Sequence, residues 1–369
     1  MRANFIGLGY CSILLPPLAL FFGVHFEVPW LAFVLFVAAS PITRAVFGTH
    51  PAEPLLLSER TASLLHALPA FYFCVLLACL VASAAGVFVH PIVEGISLTA
   101  FGLSLWTVMV FGTFPAHEMV HRRSKVWIRI GSFAGGLCGY PILGLEDAVH
   151  HARPGNVSAA EWPSETESVW NFVARRSIVC IRNSLHQNAS LKATGEWAFG
   201  APLIYGFLGL LFGLSLFAAL VGFIGLVVYL CSVAGVMFSM QVMKYVQHWG
   251  LGDDGIADAG ARELAWEDDC QMQSWLTLSN SFHLSHHRSR DAAYCFLSPA
   301  PDSPRQPGCY VMMLGACLIP QVWRSLMLPV LWQWKEDGNL VCQPGRWALC
   351  ISPSRRMTLE KHAGQRSPP

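Results

Sequence analysis

The chain is organised by three long apolar stretches from which Lys and Arg are missing. Forty-one residues separate Arg2 from Arg44, 61 separate Arg60 from Arg122, and 51 separate Lys192 from Lys244. A membrane-spanning helix needs about 20 apolar residues, so each stretch is long enough for a hairpin of two. The apolar runs fall at about 5–24, 28–47, 65–87, 93–115, 199–219 and 222–245. This pattern predicts an all-α integral membrane protein with six transmembrane helices. The turns His25–Val28, His90–Glu94 and Ala219–Gly222 carry no basic residue. Arg44, Arg60, Arg122, Arg123, Lys125, Arg129, Arg175, Arg176, Arg182 and Lys192 all lie between hairpins. The positive-inside rule therefore places the turns outside and both termini in the cytoplasm.

The same pattern divides the chain. Residues 1–124 hold the first four helices, 125–198 a cytoplasmic segment, 199–249 the last two helices, 250–350 a cytoplasmic cap and 351–369 a polar tail that reads as disordered. Arg2 before an apolar run resembles the start of a signal peptide. No compact small-residue cleavage site follows, and a second span comes almost at once, which favours a retained helix. The apolar stretch from Tyr310 to Trp334 is interrupted by Pro320, Arg324 and Pro329. It reads as an interfacial or docked helix, since a seventh span would carry the C-terminus outside.

Composition agrees with a multispanning protein: 54% of residues are hydrophobic, 13% are charged, and the mean hydropathy is +0.45. The formal charge of +1 gives no sign of a nucleic-acid partner. The 12 cysteines are scattered and include no Cys-x-x-Cys, which excludes a built-in rubredoxin-type or zinc-ribbon site. Cys74 and Cys79 have the spacing that opens a ferredoxin motif, but no Cys-x-x-Cys follows and both lie within a predicted span, so they read as buried small residues. The expectation is reduced thiols.

The 14 histidines are not scattered. Four groups stand at or beyond the ends of predicted spans: His117-Glu-Met-Val-His121, His150-His151, Gln247-His248-Trp249-Gly250, and His283-Leu-Ser-His286-His287. His117 and His121 share one helical face, and His283 and His287 repeat that spacing. Adjacent histidines diverge by about 100° on a helix, so His150 and His151 can serve different centres. Eight imidazoles exceed what one catalytic metal accepts while keeping a position open, which makes two metals the economical reading. His25, His50, His66, His90 and His362 read as isolated structural residues, and His186 stays outside the set.

His117-Glu118-Met119-Val120-His121 also matches His-Glu-x-x-His, the zinc-protease helix in which Glu118 would activate water. That reading leaves six clustered histidines without a purpose and offers only Asp253, Asp254 or Asp337 as a distant ligand. The full order of motifs resembles a different family. His117-Glu-Met-Val-His-Arg-Arg123, His150-His151, Tyr245-Val-Gln-His-Trp-Gly-Leu251, His283-Leu-Ser-His-His287 and Pro301-Asp-Ser-Pro-Arg-Gln-Pro307 are similar to the motifs of the membrane-bound non-haem di-iron hydroxylases. That family includes alkane 1-monooxygenase and the membrane subunit of xylene monooxygenase, and the match runs from about Phe114 to Leu328. The Arg122-Arg123 ending and Gln247 before His248 look closer to the xylene enzyme.

The resemblance implies a cytoplasmic histidine-rich site with two iron ions, activation of O2, and hydroxylation of a C–H bond in a hydrophobic hydrocarbon, a methyl-substituted aromatic ahead of an alkane. It implies metal ligands at His117, His121, His150, His151, His248, His283, His286 and His287. The family usually carries one more histidine four residues before the His-His pair. Glu146 stands there and is a competent iron ligand, with Asp147 as the fallback; the opposite reading is an inactive paralogue that has lost a ligand. Glu118 is expected to act catalytically by orienting a ligand or moving protons. Electrons would originate from NAD(P)H and arrive through a separate rubredoxin or ferredoxin-type reductase. Arg122, Arg123, Lys125 and Arg129 are candidates for that contact, or simply topology determinants. The setting implied is a bacterial inner membrane. A fatty-acyl desaturase is the alternative, although only the box at His283 has the complete His-x-x-His-His form. Trp106, Met109, Phe111, Phe114 and Phe238 could line a substrate channel or merely pack the helices.

Overall fold

The computed structural model describes residues 2–89, 95–122, 124–152, 162–193, 202–252, 265–289 and 291–337. The described residues are overwhelmingly helical, and their β-structure is confined to two isolated bridges, Thr49 with Cys270 and Glu267 with Arg305. Four helices are long and apolar enough to cross a membrane: α1 (Arg2–His25), α3 (Glu59–Val89), α4 (Gly95–Val120) and α8 (Pro202–His248). The second apolar run forms a shorter segment, α2 (Leu31–Phe47), interrupted by a π turn at Val34–Ala38 and a 3-10 turn at Ser40–Ile42.

The fifth and sixth runs form the two arms of α8. Gly222 has φ 75° and ψ −155°, a conformation that only glycine adopts without strain. Phe217 and Tyr229 stack with ring centroids 5.2 Å apart, whereas twelve residues of straight helix would separate them by about 18 Å. The chain therefore reverses direction at Gly222. By length and composition, six expected spans become four long apolar helices, one of them doubled back, and one short helix. Phe5, Phe71, Leu211 and Phe223 face outward from these helices, as side chains that meet lipid do.

Three shorter helices hold the long ones together: α5 (Lys125–Leu137), α6 (Leu143–Ala152) and α7 (Val169–Ala193). Sequence places all three in a cytoplasmic segment, and in the structure α5 packs between α4 and α8. Its glycines permit the approach. A Cβ on Gly131 would lie 2.8 Å from the Ala116 carbonyl oxygen, and one on Gly136 would overlap the carbonyl of Gly206. Tyr229 donates to the Leu137 carbonyl at 2.6 Å where α5 ends.

The chain beyond α8 folds over one end of this bundle as α9 (Gln271–Leu276), α10 (His283–Arg288), α11 (Tyr310–Cys317) and α12 (Pro320–Asp337). The Tyr310–Trp334 stretch is two helices, and α12 buries Trp323, Met327 and Leu331. Trp323 packs against Tyr245 and Trp249 at 5.6 and 5.7 Å. Two buried ion pairs fasten this cap. Arg44, counted from sequence among the topology determinants, binds Asp268, and it binds Asp269 at 2.7 Å. Arg305 binds Glu267. No disulfide joins the described cysteines.

Candidate metal centre

The site is built where four helices converge. The end of α4 presents His117 and His121 on one face. Helix α6 presents Asp147 and His150 three residues apart. Helix α8 ends in His248, and the turn that stops it places Gly250 at φ 72°, hard against Leu331. The six-residue helix α10 supplies His283, His286 and His287.

These side chains form two groups, each with its ligand atoms within 4.8 Å of one another: His117, His121, Asp147 and His286, and His150, His248, His283 and His287. In the first, His117 Nε2 lies 2.9 Å from Asp147 Oδ1 and 3.1 Å from His121 Nε2, and His121 Nε2 lies 3.1 Å from Asp147 Oδ2. In the second, the Nε2 atoms of His150, His283 and His287 form a triangle with sides of 3.0, 3.2 and 3.3 Å. A neutral imidazole nitrogen either donates or accepts, so three of them cannot hydrogen-bond around a closed triangle. A metal bound about 2.1 Å from each nitrogen would hold neighbouring ligands about 3.0 Å apart at right angles and about 3.4 Å apart in a tetrahedron. The observed triangle lies within that range, so the donor set fits a cation. The imidazoles of His286 and His283 are 6.1 Å apart and those of His286 and His287 are 6.2 Å apart, which makes the two groups immediate neighbours.

Burial keeps this site ready for metal. The imidazoles of His150 and His283 are pushed well below the ordinary histidine range, first by burial and then by the positive charge of Lys244. Both remain neutral and able to donate lone pairs. Trp162 stacks on His248 at 4.5 Å with a 16° interplanar angle, fixing that ring. Glu267, fully buried, accepts hydrogen bonds from the backbone N–H groups of Leu284 at 3.0 Å, Ser285 at 3.3 Å and Ala300 at 2.9 Å. It thereby pins the start of α10 and its three histidines to the Pro301–Pro307 segment.

Sequence singled out nine metal positions, and the structure brings seven of them into the two groups. Glu146 lies outside both: its carboxylate is directed into a buried ion pair with Arg176 of α7, which also donates to Gln241. Asp147, the next residue, occupies the first group instead. The His151 side chain lies outside the described residues. Glu118 is in neither group; it lines an open groove with His66, His121, Arg122 and Asp291. His25, His50 and His66 are members of neither group. Glu267, Trp162 and Arg176 were not identified from sequence as site residues. Only Arg305, in the Pro-Asp-Ser-Pro-Arg motif, hinted that an acid would be buried opposite it.

An apolar cavity of about 380 Å³ reaches toward the metal groups from between the helices. Trp106, Phe111, Phe114 and Phe238 line it, whereas Met109 is buried without lining it. Phe114 and Met243 also wall a small chamber of about 40 Å³ that includes His117 and Asp147. Phe114 and Met243 are thus common to the walls of the apolar cavity and of the chamber beside the first ligand group.

Every histidine of the two groups falls within the stretch that matches a known family. The sequence model of the fatty acid desaturase family matches residues 95–302. The chain belongs to that family. Curated relatives resemble it over most of their length: alkane 1-monooxygenase 1 of Pseudomonas aeruginosa is 27% identical, with 81% of this chain and 82% of the relative covered. Alkane 1-monooxygenase 2 of the same organism is 24% identical, covering 82% and 83%. Alkane 1-monooxygenase of Ectopseudomonas oleovorans is 24% identical, covering 84% and 80%. These similarities uphold the resemblance to the membrane-bound di-iron hydroxylases and make the chain an oxidoreductase of that kind. The His-Glu-x-x-His helix belongs to this redox framework.

Proposed function

We propose that the protein is a membrane monooxygenase that hydroxylates a C–H bond of a hydrophobic hydrocarbon at two irons. His117, His121, Asp147 and His286 would hold one iron, and His150, His248, His283 and His287 the other. The observation that carries this reading is the pair of adjacent ligand groups, the first of which borders a chamber that shares Phe114 and Met243 with an apolar cavity. Bound iron would supply O2 activation, with one oxygen atom entering the substrate and the other leaving as water at the expense of two external electrons.

The protein's own contribution is placement and exclusion of water. A hydrocarbon partitions into the bilayer and can enter between helices without crossing water. The aromatic walls hold it while Phe114 and Met243 present one carbon to the chamber. The aromatic lining suits a methyl-substituted ring, and the named relatives support an alkane. Glu118 lies in the polar groove on the side of His121, where it can pass protons between solvent and the site. Electrons come from a separate rubredoxin or ferredoxin-type reductase drawing on NAD(P)H. The histidine face is cytoplasmic in a bacterial inner membrane, with the basic residues of the polar connections on the same side.

Metal analysis joined to isotope labelling tests this reading. Purified protein should bind about two irons per chain, and oxygen from 18O2 should appear as a hydroxyl in xylenes, cymene or medium-chain alkanes. A C=C product without labelled oxygen would instead identify a desaturase. Zinc as the sole metal together with peptide cleavage would refute both.

A further inference from the structure

One residue in the wall of the apolar cavity has no side chain. Gly315 of α11 lines it, and among the described residues of that wall Gly315 alone is exposed. Glycine weakens a helix relative to alanine, so its place inside one needs a reason. Elsewhere in the bundle the reason is close approach: a Cβ on Gly112, Gly131, Gly206 or Gly209 would collide with a neighbouring side chain or backbone. Gly48 and Gly222 turn the chain at positive φ, and Gly95 begins its helix. None of these reasons applies to Gly315. Its φ is not positive, it lies inside α11, and a Cβ there would meet no packing neighbour within 4 Å.

The surroundings of Gly315 give that open space a meaning. Val311, Leu314 and Leu318 line the cavity with it. Ile319 and Val322, where the chain passes from α11 into α12, are exposed and lie outside the cavity wall. Gly315 therefore stands where the cavity face of this region meets its outer apolar face. Trp170, at the start of α7, bridges two other wall residues from outside: it stacks on Phe238 at 5.8 Å and donates to the Leu318 carbonyl at 3.2 Å. The gap between α8 and the end of α11 is thus clasped at Trp170 and unobstructed at Gly315. Exposed apolar side chains beside an indole with one polar edge are suited to the lipid boundary, so a molecule arriving at Gly315 comes from lipid.

Building on the proposed monooxygenase function, we infer that Gly315 is the mouth of the cavity and that its missing side chain is what lets ring-bearing hydrocarbons through. A linear alkane presents the cross-section of one methylene chain, whereas a ring is wider in its own plane. Gly315→Leu would fill part of the opening and obstruct the ring more than the chain. Gly315 then determines specificity by what passes it, not by contact with the reacting carbon. A mouth also has a kinetic signature that a binding wall lacks. The same barrier is crossed in both directions, so narrowing it slows loading and release by one factor and leaves the equilibrium between lipid and cavity unchanged.

Trp106 lines the cavity and can report arrival, because bromine quenches a nearby indole. The full chain in lipid nanodiscs, without an electron donor, is mixed with 1-bromooctane or with 4-bromocumene, and the part of the quenching that is lost in Trp106→Phe is followed in time. Dilution into empty nanodiscs measures release. Gly315→Leu should slow loading and release of 4-bromocumene by the same factor, roughly tenfold, and those of 1-bromooctane by less than about threefold, the scale on which a methylene or two decides a tight fit. Equilibrium quenching by both should stay as in wild type. Gly315→Ala should fall between, and both variants should melt no lower than wild type, since the new Cβ meets no neighbour and glycine is the weaker helix former. Unchanged rates, slower loading alone with weaker equilibrium quenching, or equal slowing of the two compounds would overturn the inference. A lower melting temperature for Gly315→Ala would overturn it too, because Gly315 would then serve packing. Turnover under 18O2 is assayed separately with p-cymene and n-octane. If wild type oxygenates neither, the monooxygenase reading fails, and the exchange rates still decide whether Gly315 is the mouth.

Discussion

Glu146 and Asp147 are adjacent acids with different surroundings, and exchanging each for alanine separates their roles. Glu146→Ala removes the partner of Arg176, whose side chain is only 2% exposed. Losing one member of a buried ion pair typically costs about 3–5 kcal/mol, because the remaining charge is desolvated without compensation. Arg176 would still donate to the Gln241 oxygen, so the loss should fall near the lower end, about 3 kcal/mol. The ligand atoms of both histidine groups would stay in place. Glu146→Gln, which keeps an acceptor oxygen, should lose less, and Glu146→His should behave like alanine because an imidazole cannot neutralise the guanidinium. Asp147→Ala instead removes one of four donors from the first group and leaves Arg176 paired. Metal content should drop from about two toward one per chain, while the chelated protein keeps its stability. Unfolding of chelated protein in micelles, with elemental analysis after reconstitution, measures both quantities. The reasoning is refuted if Asp147→Ala retains two metals while Glu146→Ala loses one at unchanged stability.

Three further outcomes follow from the same geometry. His286→Ala should remove metal from the first group and abolish oxygenation while the protein remains inserted, and fractionation with metal analysis checks it. Because the folded chain holds His150 and His283 below the ordinary range, the unfolded chain binds more protons as pH falls below about 6.5. Stability of the chelated protein should therefore be fully present above that pH and decline beneath it, which unfolding curves at stepped pH would show. Gly136→Val should destabilise the bundle by at least about 1–3 kcal/mol, since its Cβ meets the Gly206 backbone, which has no rotamer to yield. Equal expression and thermal stability would contradict that packing.

The features written as local patterns were readable from sequence. The long charge-free runs mark the membrane helices, and the four-residue histidine spacings mark faces that do meet. Details that depend on a third element were not readable. Glu146 precedes His150 by four residues and Asp147 by three, so both spacings lie on nearly the same face as His150. Which acid joins the histidines is decided by where Arg176 of α7 arrives, and nothing in α6 records that. The residues of α5 fall within the 125–198 stretch read as a cytoplasmic segment. The burial of this helix depends on Gly131 and Gly136 matching the backbones of α4 and α8. Glu267 carries no sequence signal of its own, yet it anchors α10.

Each of two short helices contributes to both ligand groups. Asp147 and His150 divide between them on α6, and His286 and His287 divide between them on α10. The separation of the two centres is therefore measured along a few residues of rigid helix rather than across the whole bundle. Bilayers differ in thickness, and long apolar helices adapt to them by tilting. Here such tilting would carry α6 and α10 along as paired rulers, so the membrane can change around the protein while the spacing on which two-centre chemistry depends stays the same.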